Sequence, residues 1–194
     1  MILTKNISFK NFSKGKKDKK LKKNLYEIIN NKNEILRSLG KDYEYSYSKD
    51  LIKKFKKKFS QIQIIGMGGS ILGTKAIYKF LRKKIKKKTI FVDNLFPNLK
   101  NKNETNKKDT LNLIISKSGN TLETILNTNI LIKKNEKNIF ITQNDNNYLR
   151  ILAKKLRSEI VDHNNFIGGR YSVLSEVGML PSSLMGLAEN KFKQ

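Results

Sequence analysis

The stretch of the chain that decides its fold reads Ile62-Gln63-Ile64-Ile65-Gly66-Met67-Gly68-Gly69-Ser70-Ile71-Leu72-Gly73. Its first four residues are rich in β-branched isoleucine, which favours a buried strand. The glycines that follow permit a sharp turn and a close approach of the backbone to a ligand. The residues from Ile71 onward have the apolar spacing of a helix. The stretch therefore predicts a strand that passes through a glycine-rich turn into a helix.

The same alternation of strand and helix continues as far as Val161. The predicted strands are Ile62–Ile65, Thr89–Val92, Leu111–Ile115, Asn138–Thr142 and Glu159–Val161. The predicted helices are Ile71–Lys84, Thr121–Asn135 and Asn147–Arg157. Strands that alternate with helices of this length are typical of parallel sheets with helices on both faces. We therefore predict an α/β fold, a three-layer doubly wound parallel sheet of about five strands. The segment Phe96–Asp109 has no strong pattern.

The first 60 residues are rich in lysine and more weakly patterned. Apolar residues recur there at roughly helical spacing, and Gly40 provides a stop: Leu21, Leu25, Ile28, Ile29, Ile35, Leu36 and Leu39. A further helix is expected from Leu51 to Phe59, and Lys14–Lys20 is expected to be a loose surface segment. We therefore predict an N-terminal helical extension, 1–60, followed by a sheet domain, 61–194.

The chain of 194 residues carries a net charge of +25, and only five of its 41 basic residues are arginine. Nucleic-acid surfaces favour arginine and aromatic residues interleaved in one patch. Here the lysines are scattered over every segment, which is typical of a solvated surface shaped by an AT-rich codon usage. The composition therefore favours a protein that does not bind nucleic acid; steep salt dependence of DNA binding would support the opposite interpretation.

The sequence also limits the compartment and the chemistry. It contains no cysteine, which excludes disulfides and thiolate metal sites. Met1–Lys10 lacks the apolar core of a signal peptide, and no apolar run approaches the ~20 residues of a membrane span. We therefore expect a soluble, cytoplasmic protein without membrane contact.

Three segments with chemical potential each follow a predicted strand, and the carboxyl ends of parallel strands form the ligand crevice of such sheets. The first is the glycine loop Gly66–Gly73 quoted above. A dinucleotide fingerprint would require glycine at position 71, where the chain has Ile71, although Asp93 at the end of the second strand is placed to bind a ribose. A purely structural turn, a ligand loop and a dinucleotide site all remain open for this segment.

The second segment reads Ser116-Lys117-Ser118-Gly119-Asn120-Thr121-Leu122-Glu123-Thr124. It places hydroxyls and free backbone N–H groups at the start of a helix, where the helix dipole also favours an anion. It lacks the Gly-Lys-Ser/Thr order of a nucleotide P-loop. The segment predicts a phosphate site, and the alternative is an ordinary helix start with Thr121 as its cap.

The third segment reads Ile167-Gly168-Gly169-Arg170-Tyr171-Ser172-Val173-Leu174-Ser175-Glu176-Val177-Gly178-Met179-Leu180-Pro181. Its glycines allow the chain to place Arg170 at the crevice, where a guanidinium stabilises negative charge that develops on oxygen. In a chain with so few arginines, this choice indicates a need for planar, multi-donor geometry. A surface arginine without a chemical role is the alternative.

Together and in this order, the three segments resemble the glucose-6-phosphate isomerase family over roughly residues 61–186. Gly66–Gly73 is similar to its first glycine loop. Ile115–Thr124 is similar to its sugar-phosphate loop, with Asn120 in place of the usual threonine. Gly168–Gly178 is similar to its Gly-Gly-Arg-Phe/Tyr-Ser signature, with Glu176 where a small residue is common. The resemblance implies a pair of sugar-isomerase (SIS) domains, of which this chain would hold the first. It also implies a homodimer in the full-length enzyme.

The resemblance implies a glycolytic and gluconeogenic isomerase that interconverts glucose 6-phosphate and fructose 6-phosphate through a cis-enediolate, without metal or organic cofactor. It implies substrate-phosphate binding by Ser116, Ser118 and Thr121, aided by the Lys117 backbone. Gly69 and Ser70 would face the sugar. Arg170 would stabilise the enediolate as the catalytic residue. A non-catalytic SIS-type module that senses sugar phosphates is the alternative, and in it Arg170 would have no chemical task.

The family's remaining catalytic groups, a carboxylate base, a histidine and a lysine, follow the Gly-Gly-Arg signature. None of His163, Glu176 and Glu189 matches them by motif, and His163 is expected at a strand end or in a loop. We therefore expect a fragment that binds phosphosugar with little or no turnover of its own.

Overall fold

A computed structural model of the chain describes residues 2–4, 7–8, 18–30, 34–95 and 109–193. The chain divides into two compact units, Met1–Asn33 and Glu34–Gln194. In the first unit, the short strands β1 (Ile2–Thr4) and β2 (Ile7–Ser8) pair antiparallel. Its helix α1 (Lys19–Asn30) begins where the Asp18 carboxylate accepts the Lys20 N–H at 2.8 Å, an N-cap bond.

The second unit contains the central sheet and its helices. Its strands are β3 (Gln61–Gly66), β4 (Lys88–Val92), β5 (Thr110–Ile115), β6 (Lys137–Thr142) and β7 (Glu159–Asp162). Its helices are α2 (Glu34–Leu39), α3 (Lys49–Lys56), α4 (Gly69–Phe80), α5 (Leu122–Leu131), α6 (Tyr148–Lys155) and α7 (Glu176–Leu184). Short 3-10 helices occupy Arg82–Lys84, Gly169–Leu174 and Glu189–Lys191.

The sheet is parallel throughout, with the strand order β4-β3-β5-β6-β7. The chain leaves β3 for β4 on one side and returns past β3 to β5 on the other. Neighbouring crossovers therefore run in opposite directions between β3 and β5, and a crevice opens at the carboxyl ends of these two strands. The register aligns Gly66 with Ile115, so both strands end at the same level.

The strands bury both faces, and alternate residues enter two separate cores. On one face Ile62, Ile64 and Leu113 pack with residues from α3, α4 and α7. On the other, Ile65, Ile114 and Phe140 pack with residues from α5 and α6. Each such buried side chain stabilises the fold by about 1.5–3 kcal/mol. The predicted three-layer, five-stranded α/β fold is confirmed.

Several sequence expectations differ from the structure at the margins. The helix predicted over Ile71–Lys84 begins at Gly69 and ends at Phe80, where a 3-10 turn takes over. Phe59 lies beyond the end of α3 but is buried in the core. Of the patternless segment Phe96–Asp109 only Asp109 is described. Lys14–Lys17 also lie outside the described residues, while Lys19 and Lys20, expected in the same loose segment, begin α1. The division of the chain at residue 60 stays a prediction.

Candidate functional site

Three loops meet at the carboxyl edge of the sheet, above the point where the crossovers change direction. Together they line a cleft of about 460 Å³, within the range of small-molecule sites. The residues that line it are Met67, Gly69, Ser70, Lys117, Ser118, Thr121, Gln143, Gly169 and Arg170. The cleft therefore contains residues from each of the three predicted segments.

The first and third loops touch through their backbones. A β-carbon on Gly69 would lie 2.9 Å from the Arg170 nitrogen and closer still to the Gly169 carbonyl. Only glycine therefore permits this approach at position 69. The Ser172 hydroxyl lies between the two loops, 2.7 Å from the Gly169 carbonyl and 3.4 Å from the Gly69 carbonyl. The contact fixes Arg170 beside the start of α4.

The second loop holds its hydroxyls in two layers. The Ser116 and Thr121 hydroxyls lie 2.9 Å apart, and Ser116 is buried behind the cleft while Thr121 lines it. The Ser118 hydroxyl accepts the Asn120 N–H at 3.3 Å, which leaves its own proton free to donate to a ligand. Thr121 precedes α5 without capping it through its side chain, so the first-turn N–H groups of α5 receive no bond from that hydroxyl.

The bend in this loop depends on a second glycine. Gly119 has φ +65°, and a β-carbon there would overlap the Asn147 side-chain amide. Asn120, the residue that departs from the family pattern, accepts the Tyr148 N–H at 3.0 Å through its side chain. The Asn120 side chain thus joins the second loop to the start of α6.

Two cations face the cleft, Lys117 and Arg170, and no carboxylate occurs among the described residues that line it. The Lys117 ammonium donates to the Asn165 carbonyl at 2.6 Å. This bond joins the second loop to the segment that precedes Gly168. His163 follows β7 as expected and is buried. Burial lowers its pKa below the ordinary value, so the ring is neutral at pH 7. Because its described lining has two cations and no carboxylate, the cleft is suited to an anion.

The structure brings together six of the seven predicted site residues, and places the seventh, Ser116, directly beneath Thr121. Gln143 was missed by the sequence analysis, although its position directly after β6 marks the same edge of the sheet. Asp93, the residue that kept a dinucleotide site open, pairs instead with Lys75 on α4. Neither Asp93 nor Lys75 lines the cleft.

A family model described as phosphoglucose isomerase matches residues 9–193. The chain belongs to the phosphoglucose isomerase family. It is 36% identical over 141 residues to a glucose-6-phosphate isomerase of Borreliella afzelii, a match that covers 64% of this chain and 26% of the relative. With a glucose-6-phosphate isomerase of Acholeplasma laidlawii it shares 34% identity over 197 residues, or 86% of this chain and 45% of the relative.

The fold agrees with this family assignment. A crystal structure of a glucose-6-phosphate isomerase from Chlamydia trachomatis superposes with a TM-score of 0.60 at 27% identity, over 84% of this chain and 31% of that one. The chain thus spans less than half the length of these relatives. In the part of the chain that the structure describes, no helix has the length and apolar character needed to cross a bilayer.

Proposed function

We propose that the chain is the phosphosugar-binding part of a glucose-6-phosphate isomerase, which interconverts glucose 6-phosphate and fructose 6-phosphate. The observation that carries the proposal is the grouping of Ser118, Thr121, Lys117 and Arg170 around one cleft at the start of α5. Fixed hydroxyls, free N–H groups and a helix dipole there favour a phosphate dianion.

In this proposal the phosphate binds the Ser118 and Thr121 hydroxyls and the backbone N–H groups at the start of α5. Ser116 orients Thr121 from behind through the 2.9 Å bond between their hydroxyls. The sugar extends toward Gly69 and Ser70, the first two residues of α4. Arg170 then stands beside the sugar carbons and stabilises the oxyanion of the cis-enediolate, since a guanidinium offers several fixed donors.

Proton transfer between C1 and C2 requires a base, and no described residue of the cleft lining is a carboxylate. We therefore place the base outside the described lining, as the family resemblance implies for the carboxylate, histidine and lysine. The homodimer and the cytoplasmic location expected from the sequence belong to the same proposal.

Calorimetric titration of this chain with fructose 6-phosphate, and separately with fructose, tests the phosphate site. We expect binding of the ester and none of the free sugar at the same concentration, because the donors address the phosphate. Equal binding of both sugars, or of neither, would overturn the proposal.

The alternative of a non-catalytic sensor of sugar phosphates is separated by Arg170→Ala. In a full-length isomerase that contains this segment, this change lowers the rate of isomerisation, measured by coupled oxidation of glucose 6-phosphate, far more than it lowers fructose 6-phosphate affinity. A protein without any isomerisation, whose signalling output is unaffected by Arg170→Ala, would be the sensor.

A further inference from the structure

A carboxylate is fully buried directly behind the Gly-Gly-Arg segment. Glu176 begins α7 and has no exposed surface. The Tyr43 hydroxyl donates to it, lying 2.8 and 3.0 Å from its two oxygens, and both the N–H and the hydroxyl of Ser46 lie 3.1 Å from Oε1. Since a buried carboxylate is costly without donors, these bonds hold the Tyr43–Ser46 segment firmly in place.

Tyr43 extends this network toward the cleft. Its hydroxyl oxygen accepts the Asn164 side-chain amide at 2.6 Å. The next residue, Asn165, offers the backbone carbonyl that accepts the Lys117 ammonium at 2.6 Å. An unbroken series of contacts therefore runs from Glu176 through Tyr43 and the Asn164–Asn165 turn to Lys117.

A cation, Lys193, packs against the ring of Tyr43. The Lys193 ammonium lies 4.3 Å from the centroid of the Tyr43 ring and 4.8 Å from that of Tyr45, and it donates to the Ser38 carbonyl at 2.8 Å. Cation–π contacts of this kind favour one position of the ring. The Tyr43 hydroxyl is thus held both at its oxygen and through its ring.

The Lys117 side chain is flexible on its own, because four rotatable bonds separate its ammonium from the backbone. A fixed acceptor at its tip therefore decides where its charge stands. We propose that Glu176 and Tyr43 are positioning residues that hold the Asn165 carbonyl in place and thereby set the Lys117 ammonium at the rim of the cleft, ready for the phosphate dianion. This inference rests on the proposed function, since it assigns a role within the same site.

Tyr43→Phe and Tyr47→Phe are a matched pair that tests the inference. Each variant removes one hydroxyl that donates to a buried or half-buried carboxylate, from Tyr43 to Glu176 or from Tyr47 to Glu189 at 2.6 Å. Only Tyr43 connects to Asn164. Releasing one side chain from a preorganised position weakens binding by about 2- to 12-fold. We expect that increase in the Kd for fructose 6-phosphate with Tyr43→Phe and an unchanged Kd with Tyr47→Phe, at similar losses in Tm.

Lys117→Met gives the measurement that a merely structural role would not affect. In a Lys117→Met background the ammonium is absent, so adding Tyr43→Phe is expected to leave the Kd unchanged while still lowering Tm. If Tyr43→Phe fails to fold, Asn164→Ala interrupts the same series of contacts and takes its place in the cycle.

The outcomes separate the two proposals. An unmodified chain that does not bind fructose 6-phosphate overturns the proposed function and this inference together. An unmodified chain that binds it, with equal effects of Tyr43→Phe and Tyr47→Phe on the Kd or an undiminished effect of Tyr43→Phe in Lys117→Met, overturns only the positioning role of Glu176 and Tyr43.

Discussion

The two edges of the central sheet each carry a basic cleft, and they differ in what supplies the binding groups. At the carboxyl edge, a cleft of about 460 Å³ is lined by two cations, Lys117 and Arg170, together with hydroxyl groups and glycine backbone. The cleft at the amino edge, about 410 Å³, is lined by side chains that include five cations and two carboxylates: Lys54, Lys58, Lys134, Lys137, Arg157, Glu136 and Glu159.

The amino edge has more cations than the carboxyl edge but is less suited to binding an anion. Lys54 is already paired with Glu159 at 2.6 Å, and both side chains are exposed, so the pair and its charge are screened by water. At the carboxyl edge the donors are fixed by backbone geometry and cost little ordering when an anion arrives. In the proposed function, fixed donors and not net charge therefore locate the anion site, which matters in a chain of charge +25.

The largest expected effect tests the backbone contact of the carboxyl edge. Gly69→Ala places a β-carbon against the Gly169 carbonyl and 2.9 Å from the Arg170 nitrogen, so the two loops must separate. We expect the free energy of unfolding to fall by about 1–3 kcal/mol. Binding of fructose 6-phosphate should be lost. Urea denaturation and calorimetric titration measure the two effects.

Gly169→Ala is the control for this change, because it adds the same methyl group to the opposite side of the contact. Its β-carbon would lie 3.8 Å from the Gly69 Cα, an ordinary van der Waals distance. We expect unfolding free energy within about 0.5 kcal/mol of the parent and retained binding. Equal damage from both substitutions would contradict the one-sided contact.

The next effect compares single side chains at the two edges. Ser118→Ala removes one hydroxyl that, in the proposed function, donates to the charged phosphate, and the loss of such a bond corresponds to about a 10- to 150-fold increase in the Kd for fructose 6-phosphate. Lys134→Ala removes a full charge from the amino edge, and we expect it to change the Kd less than about 2-fold because exposed charges are screened. A greater effect of Lys134→Ala would reverse the comparison.

A smaller effect concerns pH at the carboxyl edge. Burial lowers the folded-state pKa of His163 below the unfolded value of about 6.5. The unfolded chain therefore binds more protons, and the stability that this neutral ring provides is complete above about pH 6.5 and is lost as the pH falls from there through the folded-state pKa. For one proton, the unfolding free energy can change by at most about 1.4 kcal/mol per pH unit.

His163→Gln has no ring to protonate, so its unfolding free energy should fall less steeply between pH 7 and 5 than that of the parent chain. Denaturant titrations at each pH measure both slopes. The chain contains one histidine, which makes the assignment unambiguous. Parallel pH profiles of the two proteins would show that His163 is not protonated on unfolding in this range.

The smallest effect is expected at the amino edge. Arg157 lies two residues after the end of α6 and has φ +51°, a left-handed conformation that costs a residue with a side chain about 1–2 kcal/mol. Glycine avoids this cost but loses backbone entropy on folding. Arg157→Gly should therefore raise the free energy of unfolding by up to about 1 kcal/mol without changing fructose 6-phosphate binding. A destabilised variant would show that the guanidinium makes a contribution larger than the strain.

The strands were predictable nearly to the residue because buried parallel strands read as continuous apolar runs. The loops of the site were predictable because glycine and serine directly follow those runs. Helix ends were less certain: α5 stops at Leu131 and not at Asn135, because the segment after it turns toward β6. Local spacing does not decide such a stop.

Contacts between distant parts of the chain could not be predicted from the sequence. Tyr43 and Glu176 are 133 positions apart, and only the folded chain brings them together. A signal did exist, since Glu176 is the one charged residue in the otherwise apolar and small-residue stretch that follows Arg170. Its burial follows from the packing of α7 against the core, which no local pattern specifies.

The abutment of Gly69 on Gly169 has a consequence for how the chain can drift. The composition is biased toward lysine and asparagine, and such a bias acts on a protein by exchanging one side chain for another. At Gly69 any side chain would push the two backbones apart, so a bias in composition cannot exchange this residue without breaking the contact. The spacing between the two loops is therefore independent of the bias in composition that marks the rest of the chain.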